Sequence, residues 1–245
     1  MLTAAILPVK SFGRAKQRLG ASLLDAQRLA LAQAMVGDVL QALAASRAIA
    51  RTIVVTAEPQ AREAALHSGG DAIVIADEHE RGQSAAALIG IERAIGEGFQ
   101  RVLCVPGDCP AIDARELDTL LAEHDADPAA VVVFPDRHGS GTNGLMLCPP
   151  DAIEPSFGPD SRQRHVELAR TANQEVRVRE VASLLLDVDT GADLAVLRAR
   201  LGQLGDRAER TRAVLVGAAF SDTRASSTAS SSQPPSQAAA PAARA

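Results

Sequence analysis

A chain of 245 residues is long enough for one domain with an appendage and short for two. Hydrophobic residues make up 47% and aromatic ones 2%, with neither Trp nor Tyr, so the core must be built from Ala, Val, Leu and Ile. A formal net charge of −5 argues against nucleic-acid binding, which calls for a basic stripe with stacking aromatics; a small anionic ligand in a local basic pocket stays open.

Strand-like and helix-like segments alternate along the chain. Residues 3–9 (TAAILPV) read as a strand. Residues 25–45 read as a long helix, with Leu29, Ala32, Val36, Val39, Leu40 and Leu43 on one face and Asp25 as its N-cap. Strand 52–57, helix 59–67 opened by Pro59, strand 71–76, helix 84–97, strand 101–105 and helix 113–123 follow. These strands are unbroken aliphatic runs, the pattern of a parallel sheet buried on both faces.

The rhythm then changes. Strands 130–134 and 144–148 have no helix between them, and after helix 160–172 come strands 175–181 and 183–188 and helix 191–202. The expected fold class is α/β, a mostly parallel sheet with helices on both faces. A single domain spans 1–205, and 206–245 is read as a disordered tail because residues 225–245 are low-complexity Ser, Ala and Pro.

Cys104, Cys109 and Cys148 match neither a disulfide framework nor a zinc template and read as small hydrophobes in a reducing compartment. Residues 1–9 hold no basic leader, and no run of about 18 apolar residues occurs, so a cytoplasmic protein with no membrane partner is expected.

In an open parallel sheet, ligands collect at the carboxyl ends of the strands. The loop after the first strand, PVKSFGRAKQRL, carries Lys10, Arg14, Lys16 and Arg18 with Gly13 among them, which suits a polyphosphate. On charge alone a solvated basic loop fits equally well. In VPGDCP, Asp108 follows a strand directly and is fenced by two prolines. A divalent cation that also touches phosphate oxygens would favour its ionisation; the competing role, capping the next helix, is better filled by Asp113.

Asp187 and Asp189 in LLLDVDT are two apart, on one face of the strand read there, and repel unless a cation joins them. The competing role is that Asp189 or Thr190 caps the helix starting at Gly191, and Asp189 on metal with Thr190 capping satisfies both. The Gly-rich turn 136–145 is read as exposing Thr142 and Asn143; Asp160–Ser161 taken alone is a good N-cap, and beside that turn the helix N-terminus suits an anion. His67, His79, His124 and His138 show no ligand spacing, and His165 stands out only for its neighbours.

Taken in order, PVK…AKQRL (8–19), VPGDCP (105–110), GSGTNGL (139–145), FGPDS (157–161) and DVDT (187–190) resemble the guanylyltransferases of coenzyme F-420 biosynthesis over about residues 1–202. The resemblance implies a Rossmann-like nucleotidyltransferase domain using Mg2+. It would transfer GMP from GTP to phosphoenolpyruvate or 2-phospho-L-lactate, with release of pyrophosphate. A 3-phosphoglycerate acceptor, a molybdopterin guanylyltransferase or a cytidylyltransferase are the alternatives, and a non-catalytic nucleotide-binding module is a different class.

By the same resemblance Lys10, Lys16 and Asp108 are catalytic, and Lys10, Arg14, Lys16, Arg18, Gly82 and Ser84 surround the nucleotide. Asp108, Asp187 and Asp189 hold the metal, and Thr142, Gly158 and Ser161 contact the acceptor. Ser84 stands where the family commonly carries Asn, in a loop implied to lie near the base. A homodimer is the expected assembly.

Overall fold

The computed structural model describes residues 1–14, 16–19 and 23–217. Among the described residues seven strands form one sheet: β1 (Thr3–Val9), β2 (Arg51–Thr56), β3 (Ala72–Ala76), β4 (Arg101–Cys104), β5 (Val131–Pro135), β6 (Thr142–Leu147) and β7 (Val176–Val178). Their order is β3-β2-β1-β4-β6-β5-β7. Strands β1 to β4 run parallel, β6 is antiparallel to both β4 and β5, and β7 returns parallel to β5.

The aliphatic run of β1 shows why an unbroken strand belongs in the middle. Side chains alternate across the sheet, so Ala5, Leu7 and Val9 enter one core cluster and Ala4 and Ile6 another. The first cluster packs under α1 (Asp25–Ala45), α2 (Pro59–Leu66) and α4 (Ala114–Ala126). The second packs under α3 (Gln83–Gly96) and α5 (Ser161–Thr171). Helix α3 lies so close to β1 that a Cβ on Gly90 would sit 2.4 Å from Ile6 Cγ2, which reserves that position for glycine.

A third cluster joins Leu31 and Met35 of α1 to Leu186, Val188, Ala208, Leu215 and Leu194 and Leu197 of α6 (Gly191–Arg200). It corrects two expectations. The segment 183–188 is not a strand. Leu184, Leu186 and Val188 are buried as expected, but the Leu184 carbonyl accepts from the Asn143 side chain at 2.8 Å and from Cys109 Sγ at 3.7 Å. An aliphatic run whose backbone is satisfied by side chains needs no ladder.

Nor does the order end near 206, since residues 209–217 form a helix. Asp38 of α1 holds its start, accepting from the Arg210 and Thr211 amides at 3.0 and 2.9 Å. Residues 218–245, which include the Ser/Ala/Pro run, lie outside the described residues. Asp38→Ala strips two backbone donors of their buried acceptor and should cost about 2 kcal/mol, read as a lower denaturation midpoint at unchanged m-value.

Two details of α1 also differ. Asp25 is its first helical residue, paired with Arg28 at 2.6 Å, and Leu24 is the N-cap. Leu29, read as core-facing, is 39% exposed, although Val36, seven residues on and on the same face, is buried: that face of α1 is covered from Ala32 onward and not at its first turns.

Candidate functional site

The order of strands reverses between β1 and β4, and the crevice at such a switch point is where an open α/β sheet binds ligands. The loop after β1 carries Lys10 and Lys16; the loop after β4 carries Asp108. Because β6 runs antiparallel to β4, it brings its start, Thr142 and Asn143, to that same edge.

Lys16 occupies the centre. Its backbone is left-handed at φ 59°, and its Nζ donates to Asp108 Oδ2 at 2.5 Å and to Asp189 Oδ1 at 2.8 Å. The Lys16 side chain is 8% exposed. Burial pushes its ammonium pKa down, but the Asp108 and Asp189 carboxylates outweigh that, and the net direction is up. The Val188 amide donates to the Asp108 carbonyl at 3.1 Å, stitching the two acidic loops together.

Asp108 Oδ1 is buried with no hydrogen-bond partner among the described residues. Asp187 lies beside it, accepting from Asn143 Nδ2 at 3.1 Å. Burial and the Asp108 charge push the Asp187 carboxyl up to about 6. An orphaned carboxylate oxygen next to a carboxyl reluctant to ionise is a donor set that fits a hard divalent cation. Such an ion needs only one or two carboxylates when substrate oxygens complete its shell. Among the described residues no three carboxylate, imidazole or thiolate groups stand together in metal-holding geometry, and the position between Asp108 and Asp189 is taken by Lys16.

A cleft of about 240 Å³ opens beside this cluster, lined among others by Lys10, Phe12, Lys16, Gln83, Asp108 and Asp189. Lys10 is exposed at its rim. Arg18 is exposed and does not line it, while Arg14 lies in the short turn Phe12–Arg14 after β1. Gly82, at φ 108°, is the N-cap of α3. Cys109 is buried, which with the nearby acidic side chains pushes its thiol well above the ordinary range, so it offers no nucleophile.

The second group lies one step along the sheet. Thr142 and Asn143 are buried at 7% and 5% exposure, contrary to the exposed turn expected from their Gly-rich surroundings. Ser161, 1% exposed, begins α5. Asp160 occupies the N-cap position in a left-handed conformation and makes no side-chain cap bond. Gly158 sits at φ 118°, where a side chain would strain the turn. His165, fully buried, bridges Thr142 Oγ1 at 3.0 Å and the Ser156 amide at 2.8 Å.

Two links tie this group to the first: Asn143 to Asp187, and the Phe157 amide to Ser84 Oγ at 2.8 Å. Of the capping readings, those of Asp113 and Thr190 hold where that of Asp25 did not: Asp113 accepts from Arg115 N at 2.9 Å, and Thr190 shares a capping box with Asp193. Gln83 was not singled out by sequence, and Asn143 was read only as an exposed residue of a Gly-rich turn, with nothing in its local spacing to mark its contact with Asp187.

The fold has solved counterparts. A structure from Desulfovibrio desulfuricans G20 described as a nucleotide-diphospho-sugar transferase superposes with a TM-score of 0.70 at 22% identity, covering 89% of this chain and 95% of that one. Among curated proteins, the phosphoenolpyruvate guanylyltransferase of Conexibacter woesei is 46% identical over 215 residues, 88% of this chain and 96% of its own. The 2-phospho-L-lactate guanylyltransferase of Methanothermobacter thermautotrophicus is 37% identical over 79% of this chain and 83% of its own. The 3-phospho-D-glycerate guanylyltransferase of Phenylobacterium zucineum is 34% identical over 78% and 88%. The family described as "Guanylyl transferase CofC like" matches residues 3–203. With a family match over most of its length and relatives at this identity, the chain is a nucleotidyltransferase and belongs to the CofC-like guanylyl transferase family.

Proposed function

We propose that this enzyme transfers GMP from GTP to phosphoenolpyruvate, releasing pyrophosphate, as a step in deazaflavin coenzyme biosynthesis. The carrying observation is that Lys16 bridges carboxylates from two separate loops at the switch point, next to a buried group of hydroxyls. Phosphoenolpyruvate is preferred over 2-phospho-L-lactate and 3-phosphoglycerate because the Conexibacter woesei relative, at 46% identity against 37% and 34% for the other two, carries it in its name.

An oxygen of the acceptor phosphate attacks the α-phosphorus of GTP. The new P–O bond forms as the bond to the pyrophosphate oxygen breaks, and that oxygen leaves with the electron pair. No side-chain nucleophile is needed, consistent with the inert Cys109. Two polyanions must approach, so the chain's task is positioning and charge neutralisation. Lys10 and Lys16 attract the triphosphate, with Ser84 and Gly82 at the loop assigned to the base. Asp108 and Asp189, with Asp187, would hold Mg2+, which supplies positive charge to the phosphate oxygens when bound. Thr142, Gly158 and Ser161 receive the acceptor.

Pyrophosphate release measured with GTP, ATP and CTP against each of the three acids tests the reading. GTP with phosphoenolpyruvate should be fastest, and the absence of turnover with GTP and any of the acids would overturn it. Thr142→Val and Ser161→Ala should each raise the acceptor KM about tenfold, with the GTP KM within about threefold of the parent. Equal rises for both substrates would remove these residues from the acceptor site.

A further inference from the structure

His165 is fully buried in α5 and its two ring nitrogens face different elements. At Nε2, 2.8 Å away, is the Ser156 backbone amide, which can only donate. Nε2 must therefore carry its lone pair, and a neutral imidazole then holds its single proton on Nδ1. Burial, with Arg164 adding to it, pushes the imidazolium down to about 4, so the ring is neutral at physiological pH.

Nδ1 lies 3.0 Å from Thr142 Oγ1. With the proton on Nδ1, the threonine oxygen is the acceptor in that bond. The Thr142 hydroxyl proton then has no acceptor among the described residues, although the side chain is buried. A buried O–H with its own oxygen already engaged matches an anionic oxygen arriving from outside, such as a phosphate or carboxylate.

The same ring fixes the neighbouring backbone. Besides the Ser156 amide held by His165, the Phe157 amide is held by Ser84. Arg164 donates to the Ser156 and Phe157 carbonyls at 3.1 and 3.3 Å and to the Pro159 carbonyl. Phe157 also packs edge-on to the His165 ring, centroids 5.2 Å apart. The turn carrying Gly158 is thereby fastened from behind.

We infer that His165 is a positioning residue whose Nδ1–H tautomer turns the Thr142 hydroxyl into a donor toward the anionic acceptor while its Nε2 holds the Ser156–Gly158 turn in place. This rests on the assignment of Thr142, Gly158 and Ser161 to the acceptor.

Nitrogen-15 NMR of the full-length protein, with the His165 signals assigned by their loss in His165→Gln, reads the tautomer without any assay of turnover. Nδ1–H supports the inference, and Nε2–H overturns it. In steady-state assays His165→Gln keeps an acceptor for Ser156 and loses the donor to Thr142. Its acceptor KM should rise about tenfold with the GTP KM unchanged, as expected for one lost hydrogen bond to a charged group.

His165→Asn, which keeps a donor at the Nδ1 position, should recover most of that loss. Adding Thr142→Val to His165→Gln should raise KM no further, because both changes remove the same donor. Additive effects, or equal rises for both substrates, would overturn the positioning role. If the parent enzyme turns over none of the acids, the functional proposal fails while the tautomer still decides the inference.

Discussion

Asp108→Asn is expected to lower kcat/KM for pyrophosphate release by about a thousandfold, the scale of losing one preorganised electrostatic group at the reacting centre. The change is nearly isosteric and leaves Lys16 its second partner, Asp189, at 2.8 Å. What it removes is the charge on the carboxylate whose Oδ1 is buried and unpartnered. On the proposed function, a neutral amide would offer Mg2+ one weak ligand in place of a strong one and leave the two phosphates less of their charge offset. The melting temperature should move by only a few degrees. A non-catalytic nucleotide-binding module would release no pyrophosphate in either form and would keep most of its affinity for metal-free nucleotide. Retention of more than a tenth of the parent activity would remove Asp108 from the catalytic machinery.

Lys16→Met acts on the same cluster from the other side. It leaves Asp108, Asp187 and Asp189 facing one another with their cation gone. Removing one member of a buried ion pair costs about 3–5 kcal/mol; with Asp189 half exposed, roughly 2 kcal/mol is expected here. For a chain of this size that corresponds to a fall of about 4–8 °C in melting temperature.

Because the Lys16 pKa is raised, its stabilising contribution is complete below the ordinary lysine value of 10.5 and is lost only as pH climbs past it. Assays at neutral pH therefore see the whole effect. Added Mg2+ should restore much of the loss in the variant and move the parent far less, since the parent is already neutralised by its lysine. Activity should fall at least a hundredfold, through weaker holding of the triphosphate. Equal Mg2+ shifts in both proteins would contradict a shared site for lysine and metal.

Local patterning revealed most of the fold. The bounds of β1 and α1 agree with the segments read from the sequence, because an aliphatic run ending at a basic loop and a long three-to-four periodicity admit few other structures. The reading of Leu29 failed because periodicity identifies an apolar face but not how far along the helix that face is covered: Val36, on the same face, is buried and Leu29 is not. Segment 183–188 failed for a related reason: aliphatic content reports burial, whereas a strand also needs a neighbouring backbone to pair with.

The site was legible as separate loops, through the rule that ligands gather at strand ends. Its wiring was not. Lys16 meets Asp108 and Asp189 across 92 and 173 residues, and Asn143 reaches Asp187 across 44. No spacing encodes such pairs, and a lysine bridging two carboxylates looks in sequence like any surface cation.

The helix over 209–217 also bears on how the protein is handled. Leu215 and the preceding Ala208 share an apolar cluster with Leu186 and Val188, the residues alternating with Asp187 and Asp189. The stretch that closes the described chain is thus a wedge beneath the acidic loop. A truncation at 205, or a protease nick just after it, would withdraw that wedge and loosen the carboxylates from behind, without touching any residue that the proposed function assigns to substrate.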